Sequence, residues 1–215
     1  MTASGGRTEP GRDCPLCPRL AAFRAKQRQA NPDWFNAPVP SFGEVSARLL
    51  IVGLAPGLRG ANRTGRPFTG DYAGDLLYAT LKKFGFAGGE YAERADDGFS
   101  LIDCRVTNAV RCVPPENKPE PGEIKSCGGF LAAEIASMPR LRAILALGQI
   151  AHNAALSALR QRKGDFPFRH GALHAIGSAP WLADSYHCSR LNTNTGRLTE
   201  AMFEAMFGEL KKRLA

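Results

Sequence analysis

A chain of 215 residues has room for one ordinary domain core and little for a second. At 44% hydrophobic and 22% charged it is too apolar for a disordered chain, and its apolar runs are too short to cross a bilayer. Lys and Arg (28) outnumber Asp and Glu (20), a balance that suits a polyanionic partner such as nucleic acid, or an anionic surface; with no apolar run long enough to span, no membrane partner is expected. The opening MTASGGRTEP has no apolar signal core, so a cytoplasmic, nucleoid-associated location is expected, and with it reduced rather than disulfide-paired cysteines.

Residues 1–13 are rich in Gly, Thr and Arg and read as a mobile arm; the folded domain is expected over 14–215. The run ARLLIVGLAP from Ala47 is a buried strand ending in Gly and Pro. A helix follows over Gly74–Phe84 with Leu76, Leu77 and Leu81 on one face, then a buried strand over Ser100–Val110. Pro121 opens a helix that carries Ile124, Phe130, Leu131 and Ile135 and stops before Pro139. Leu141–Leu147 is a third strand, Gln149–Leu159 its helix, and Trp181–Tyr186 a last strand. Thr199–Leu214 closes the chain with Met202, Phe203, Met206, Phe207 and Leu210 on one face. Such alternation predicts a single three-layer α/β/α domain with a mainly parallel sheet, whose ligands collect beyond the carboxyl ends of the strands. Gly53–Gly57, Asn108 and His187 all fall at such ends.

Cys14-Pro-Leu-Cys17 is a C-x-x-C pair, and Cys112 and Cys127 lie fifteen residues apart. Four thiolates in two distant pairs can close around zinc or an iron–sulfur cluster, which spacing does not separate, or the second pair can be ordinary buried thiols. Cys104 and Cys188 read as buried thiols.

Gly53-Leu54-Ala55-Pro56-Gly57, Pro67-Phe68-Thr69-Gly70-Asp71, Thr107-Asn108-Ala109-Val110-Arg111-Cys112 and His187-Cys188-Ser189-Arg190-Leu191-Asn192 occur in that order. With them the chain resembles the uracil-DNA glycosylase superfamily from Cys14 to the last helix. GANRTGRPFTGD and NTGRL make it look like family 5 within the iron–sulfur branches. The resemblance implies a 4Fe–4S cluster on Cys14, Cys17, Cys112 and Cys127, and cleavage of the N-glycosidic bond of uracil in DNA. Family 4 carries a Glu where this chain has Leu54, and much of the superfamily has prolines where this chain has Cys188 and Arg190.

An enzyme that acts on a base in a duplex swings it out, and needs an aromatic face, edge-reading hydrogen bonds and a wedge. Phe68 is the candidate face and Asn108 the edge reader, within a substrate pocket that also takes Gly53, Leu54 and Ala55, whose backbone N–H groups are donor candidates. His187 is the candidate donor to the departing base, and Asp71 the carboxylate that orients water or steadies the sugar cation. Asp71 also sits where a helix N-cap would. Ser189, Arg190 and Leu191 are expected in a DNA-facing loop, Leu191 as a wedge, with Arg197 on a phosphate and Arg59, Arg63 and Arg66 extending a basic track. His152, His170 and His174 read as structural, and Asn62-Arg63-Thr64 as an accidental glycosylation match.

The expected activity is monofunctional release of uracil, and of hypoxanthine, xanthine or ethenocytosine, to leave an abasic site. The alternative is an inactive iron–sulfur DNA-binding module of the same fold. A monomer acting on DNA that contains deaminated bases is the expected working unit.

Overall fold

The computed structural model describes residues 8–178 and 180–215. Helix α1 (Pro18–Ala30) has Pro18 in its first turn, where a missing N–H costs nothing, and Cys17 of the C-x-x-C pair as its N-cap residue. Strand β1 (Leu49–Gly53) is buried throughout, Leu49 and Ile51 facing one layer, Leu50 and Val52 the other. A single helical turn, α2 (Ala61–Thr64), then leads to α3 (Tyr72–Lys83). The expected helix start at Gly74 lies two residues late because Asp71 caps the helix: its side chain accepts the Gly74 N–H.

The run expected as one strand over Ser100–Val110 is two. β2 (Ala87–Gly88) and β3 (Ser100–Leu101) form a small antiparallel hairpin, and β4 (Cys104–Asn108) enters the main sheet. Asp103, at φ 52°, breaks the run, and its carboxylate accepts the Arg48 backbone N–H. Helix α4 (Pro121–Ser137) opens with a capping box between Glu120 and Glu123. β5 (Ala143–Leu147), α5 (Gln149–Ala158), β6 (Leu173–His174) and β7 (Trp181–Ser185) follow, then short α6 (Arg190–Asn194) and α7 (Glu200–Leu214), which Thr199 caps.

The main sheet runs β4-β1-β5-β7-β6, parallel except for the edge strand β6. One apolar layer packs α3 and α7 through Leu77, Leu81, Phe203, Phe207 and Leu210; the other packs α4 and α5 through Leu131, Ala151 and Ala155. The three-layer expectation holds, and Gly53 pairs in register with Asn108, so two of the three predicted strand ends are neighbours. No helix among the described residues is long and apolar enough to span a membrane.

Of the amino-terminal arm, residues 1–7 lie outside the described residues. Glu9 reaches the buried Arg111 at 3.1 Å and accepts the Ser41 backbone N–H, while Arg111 and Arg105 both grip Glu134 beneath the sheet.

Candidate active site

Beyond the carboxyl ends of β1, β4 and β7 lies a narrow pocket with about 250 Å³ of free space, mouth included. Ala55, Phe68, Asp71, Asn108 and His187 line it, five residues singled out from sequence and brought together from four segments of chain. Gly53 forms its floor rather than its lining, and Leu54 carries a backbone oxygen that accepts the Val110 N–H.

Phe68 occupies left-handed backbone space, φ 51°, unusual for an aromatic residue and held by its surroundings. A Cβ on Gly74 would lie 1.7 Å from the Phe68 carbonyl oxygen, so only glycine in the first turn of α3 lets Phe68 sit there. Its ring stacks on His187 with centroids 5.9 Å apart and planes at 25°. On the other side Gly53 matters: a Cβ there would stand 2.4 Å from Asn108 Oδ1 and 2.5 Å from Phe68 Cζ. Gly53→Ala is therefore expected to displace both pocket side chains and reduce catalytic turnover by about 10²-fold or more, through misplacement rather than lost chemistry. Rates measured beside circular dichroism and melting curves check this; a variant with wild-type turnover would show that the close packing is dispensable.

Asn108 is 3% exposed, and its Oδ1 has no hydrogen-bond partner. A buried amide oxygen left bare costs free energy in the empty protein and marks where a ligand donor belongs. Burial pushes the His187 imidazole down to about 4, so the ring is neutral and has one N–H to give. Asp71 divides its two oxygens: Oδ1 accepts the Gly74 N–H at 3.1 Å, while Oδ2 faces the backbone of Gly57 and Gly60 at the pocket rim. Burial raises its carboxyl above the usual value, opposed by the Gly74 and Ala73 N–H groups. The cap role and the catalytic role are thus compatible.

The segment after His187 is helical where a loop was expected, with Ser189 at the N-cap position of α6. Leu191 projects from it 72% exposed, as a wedge must. Arg190 lies 5.3 Å over the Tyr72 ring. The missing prolines are replaced by tertiary bonds: Cys188 Sγ reaches the Ala73 carbonyl at 3.4 Å, and Asn192 Nδ2 donates to the His187 carbonyl at 2.8 Å. One DNA-track candidate is corrected. Arg66 is 4% exposed, paired through both terminal nitrogens with Asp97 and set among the rings of Phe42, Tyr78, Tyr91 and Phe99; that ion pair holds Asp97 far below its usual value. Arg59, Arg63 and Arg197 are exposed. Asn62 is buried and bonded to Asn36, which removes it as a glycosylation acceptor.

Cys14, Cys17, Cys112 and Cys127 line one small cavity beside the buried Leu20 and Val110, and none is disulfide-bonded. Arg24, two helical turns on from Cys17, donates to Cys112 Sγ at 3.3 Å and to the Cys14 carbonyl; the Arg111 N–H reaches Cys127 Sγ at 3.3 Å. These N–H donors suit thiolates, whereas burial raises the Cys112 thiol to about 12 and the Cys127 thiol in the same direction. Arg24 was missed from sequence, although its two-turn spacing from Cys17 was there to read.

A parallel sheet with a one-ring pocket at its carboxyl edge, offering an aromatic face, a bare amide oxygen, a neutral imidazole and a carboxylate, defines an α/β protein that takes in a flat polar heterocycle. The family model described as "Uracil DNA glycosylase superfamily" matches residues 40–211, and the chain belongs to that superfamily, in its type-5 branch. It is 44% identical over 205 residues to a type-5 uracil-DNA glycosylase of Thermus thermophilus, covering 93% of each chain. A type-5 uracil-DNA glycosylase of Pyrobaculum aerophilum is 38% identical over 192 residues, 87% of this chain and 83% of its own. A type-4 uracil-DNA glycosylase of the same organism matches at 34% over 125 residues, 58% of this chain and 56% of its own.

Proposed function

We infer that this protein excises uracil from DNA as a monofunctional glycosylase of base-excision repair. Asn108 carries the reading: its unpartnered oxygen, buried opposite the Phe68–His187 stack, is complementary to the ring N–H that uracil presents on its pairing edge. The extruded base stacks against Phe68, and Asn108 accepts that N–H. As the C1′–N1 bond breaks, its electron pair leaves with the base, and neutral His187 donates a hydrogen bond to the base oxygen on which the charge gathers. Asp71 Oδ2 steadies the positive sugar and orients water; the water oxygen bonds to C1′ and its proton passes to the carboxylate. Leu191 fills the gap left in the stack. Base release from a duplex with one uracil, beside the same duplex without it, followed by alkaline cleavage, tests this. Cleavage of neither would leave a binding module.

Other deaminated or damaged bases are accepted in the same pocket, hypoxanthine and xanthine through a ring N–H to Asn108 and ethenocytosine, which lacks that N–H, by stacking; the single edge-reading side chain and apolar Leu54, where family 4 has a carboxylate, support this. A panel of single-lesion duplexes carrying hypoxanthine, xanthine or ethenocytosine is expected to show slower release than uracil; release of uracil alone would reject the broader range.

A 4Fe–4S cluster on Cys14, Cys17, Cys112 and Cys127 is the fitting occupant of the cysteine cavity. The donor set supports it: cysteine sulfurs from three segments of chain share the cavity, and the Arg24 and Arg111 N–H groups reach two of them as donors suited to thiolates. The cluster would have a structural role, tying α1 to the loop after β4 and to α4, and Ala55 of the base pocket packs against the same cysteines. Cys127→Ser in protein purified without oxygen is expected to bleach the visible absorption and lower the melting temperature; unchanged colour and zinc on metal analysis would overturn the assignment. The excess of Lys and Arg over Asp and Glu supports work on DNA.

A further inference from the structure

Beside the uracil pocket, and sharing His187 with it, runs a second and more open groove with about 730 Å³ of free space, mouth included. Phe168, Arg169, Tyr186 and Arg197 form its walls. On one wall, charge and rings are stacked in order. His170 lies flat on Tyr186, centroids 5.0 Å apart and planes at 14°, and the Arg197 guanidinium sits 4.5 Å from the centre of the Tyr186 ring. A guanidinium seated on a ring face loses rotational freedom but keeps its in-plane N–H donors, and Arg197 is exposed.

The segment before β6, which carries Phe168 and Arg169 beside His170, is pinned from beneath by Asp184, wholly buried on β7. Asp184 Oδ2 accepts the Arg169 backbone N–H at 3.3 Å and meets His174 Nε2 at 3.0 Å; Oδ1 meets His152 Nδ1 at 2.7 Å. His152 Nε2 stands 2.8 Å from the Phe166 carbonyl oxygen, and the Asp184 carbonyl accepts the Gly171 N–H at 2.8 Å. Two histidines that read from sequence as ordinary thus anchor, through one carboxylate, the stretch that presents Phe168 and Arg169. A surface segment fixed in this way binds without first being ordered, which lowers the entropic cost of association.

We propose that this groove is a phosphate subsite for the DNA strand beside the extruded nucleotide, with Arg169 and Arg197 as the two cations that hold one phosphodiester. The proposal rests on the uracil-excision reading for what enters the neighbouring pocket. A base bound against Phe68 leaves its sugar at the mouth, and His187 is the wall common to pocket and groove, so the strand that leaves the mouth on that side meets two cations. One phosphate held there fixes where the sugar lies relative to Asp71 and His187, which is how binding energy remote from the reacting bond serves catalysis.

The test uses the full chain and duplexes with a non-hydrolysable abasic analogue, in which one phosphate at a time, on either side of the analogue, is replaced by uncharged methylphosphonate. For the wild-type protein one position is expected to weaken Kd about tenfold or more, the range of hydrogen bonds to charged groups. Arg197→Ala and Arg169→Ala are each expected to bind unmodified DNA about as weakly, and to be insensitive to methylphosphonate at that position while remaining sensitive elsewhere. A merely structural loss would weaken every duplex alike. Variants that keep the wild-type response at every position, or a wild type with no sensitive position, would overturn the proposal. Uracil release is followed in parallel with the same proteins: its absence would sink the excision reading, while the coupling in Kd alone decides the groove.

Discussion

Asp71→Asn is expected to slow uracil release by about 10²–10³-fold while leaving the protein as stable as before, or more so. Asn is as good an N-cap as Asp, so the bond to the Gly74 N–H survives and α3 keeps its start. What disappears is the charge on Oδ2 at the pocket rim. Because burial raises the Asp71 carboxyl above its unfolded value, ionising it costs folding stability. That cost is absent in acid, where the group is protonated in both states, and grows as pH rises through the unfolded and then the folded value. The stability gain in Asp71→Asn should therefore appear at neutral pH and vanish in acid, the reverse of a lost salt bridge. Activity carries a matching sign. Wild-type release should fall on the acid side above the ordinary carboxylate range as Asp71 protonates. His187, held down to about 4, is already neutral there and adds no limb near its usual value. Melting curves and single-turnover rates at several pH values decide the matter; a variant that keeps the wild-type acid limb would show that another group carries the charge.

Asn108→Ala should cost a comparable 10²–10³-fold in kcat/KM, with little or no loss of stability. The amide oxygen is bare in the free protein, so its removal also removes a buried unsatisfied acceptor. A residue kept for folding would show the opposite pattern, destabilising when truncated. Asn108→Ala contrasts in this with Gly53→Ala, which leaves the chemical groups in place and moves them. Release measured with uracil and with a base methylated at the ring nitrogen separates the two roles: the methylated base should lose its disadvantage in Asn108→Ala. A preference retained in full would mean that something else reads the edge.

Five of the pocket's residues were legible in the sequence, by two different routes. Ala55, Asn108 and His187 follow apolar runs that read as buried strands, whereas Phe68 and Asp71 were marked by the motif that resembles the glycosylase superfamily, since alone they read as a core ring and a helix cap. Their convergence follows from topology, since parallel strands place all their carboxyl ends on one edge of the sheet. The split of Ser100–Val110 into two strands was not legible, because it turns on one residue, Asp103, adopting a positive φ. Nor was α1, whose buried face carries Arg24 and Gln27 beside a single Leu20 rather than an apolar stripe.

By itself, the sequence determined the layers and the order of elements, which are written as periodicity and punctuation along the chain, while the four cysteines and the site residues were marked by the motifs that resemble the superfamily. The tertiary structure alone decided which charges stay exposed and which are spent inside. Arg66 and Arg197 are equally basic in sequence, yet one is caged by rings and Asp97 while the other rides exposed on Tyr186. Likewise His152, His174 and Asp184 became one anchor, and Asn108 was left with a free oxygen. The reason is range: a side chain's hydrogen bond or ion pair is satisfied by whatever the fold brings within about 3 Å, often from tens of residues away, and local pattern carries no record of that partner.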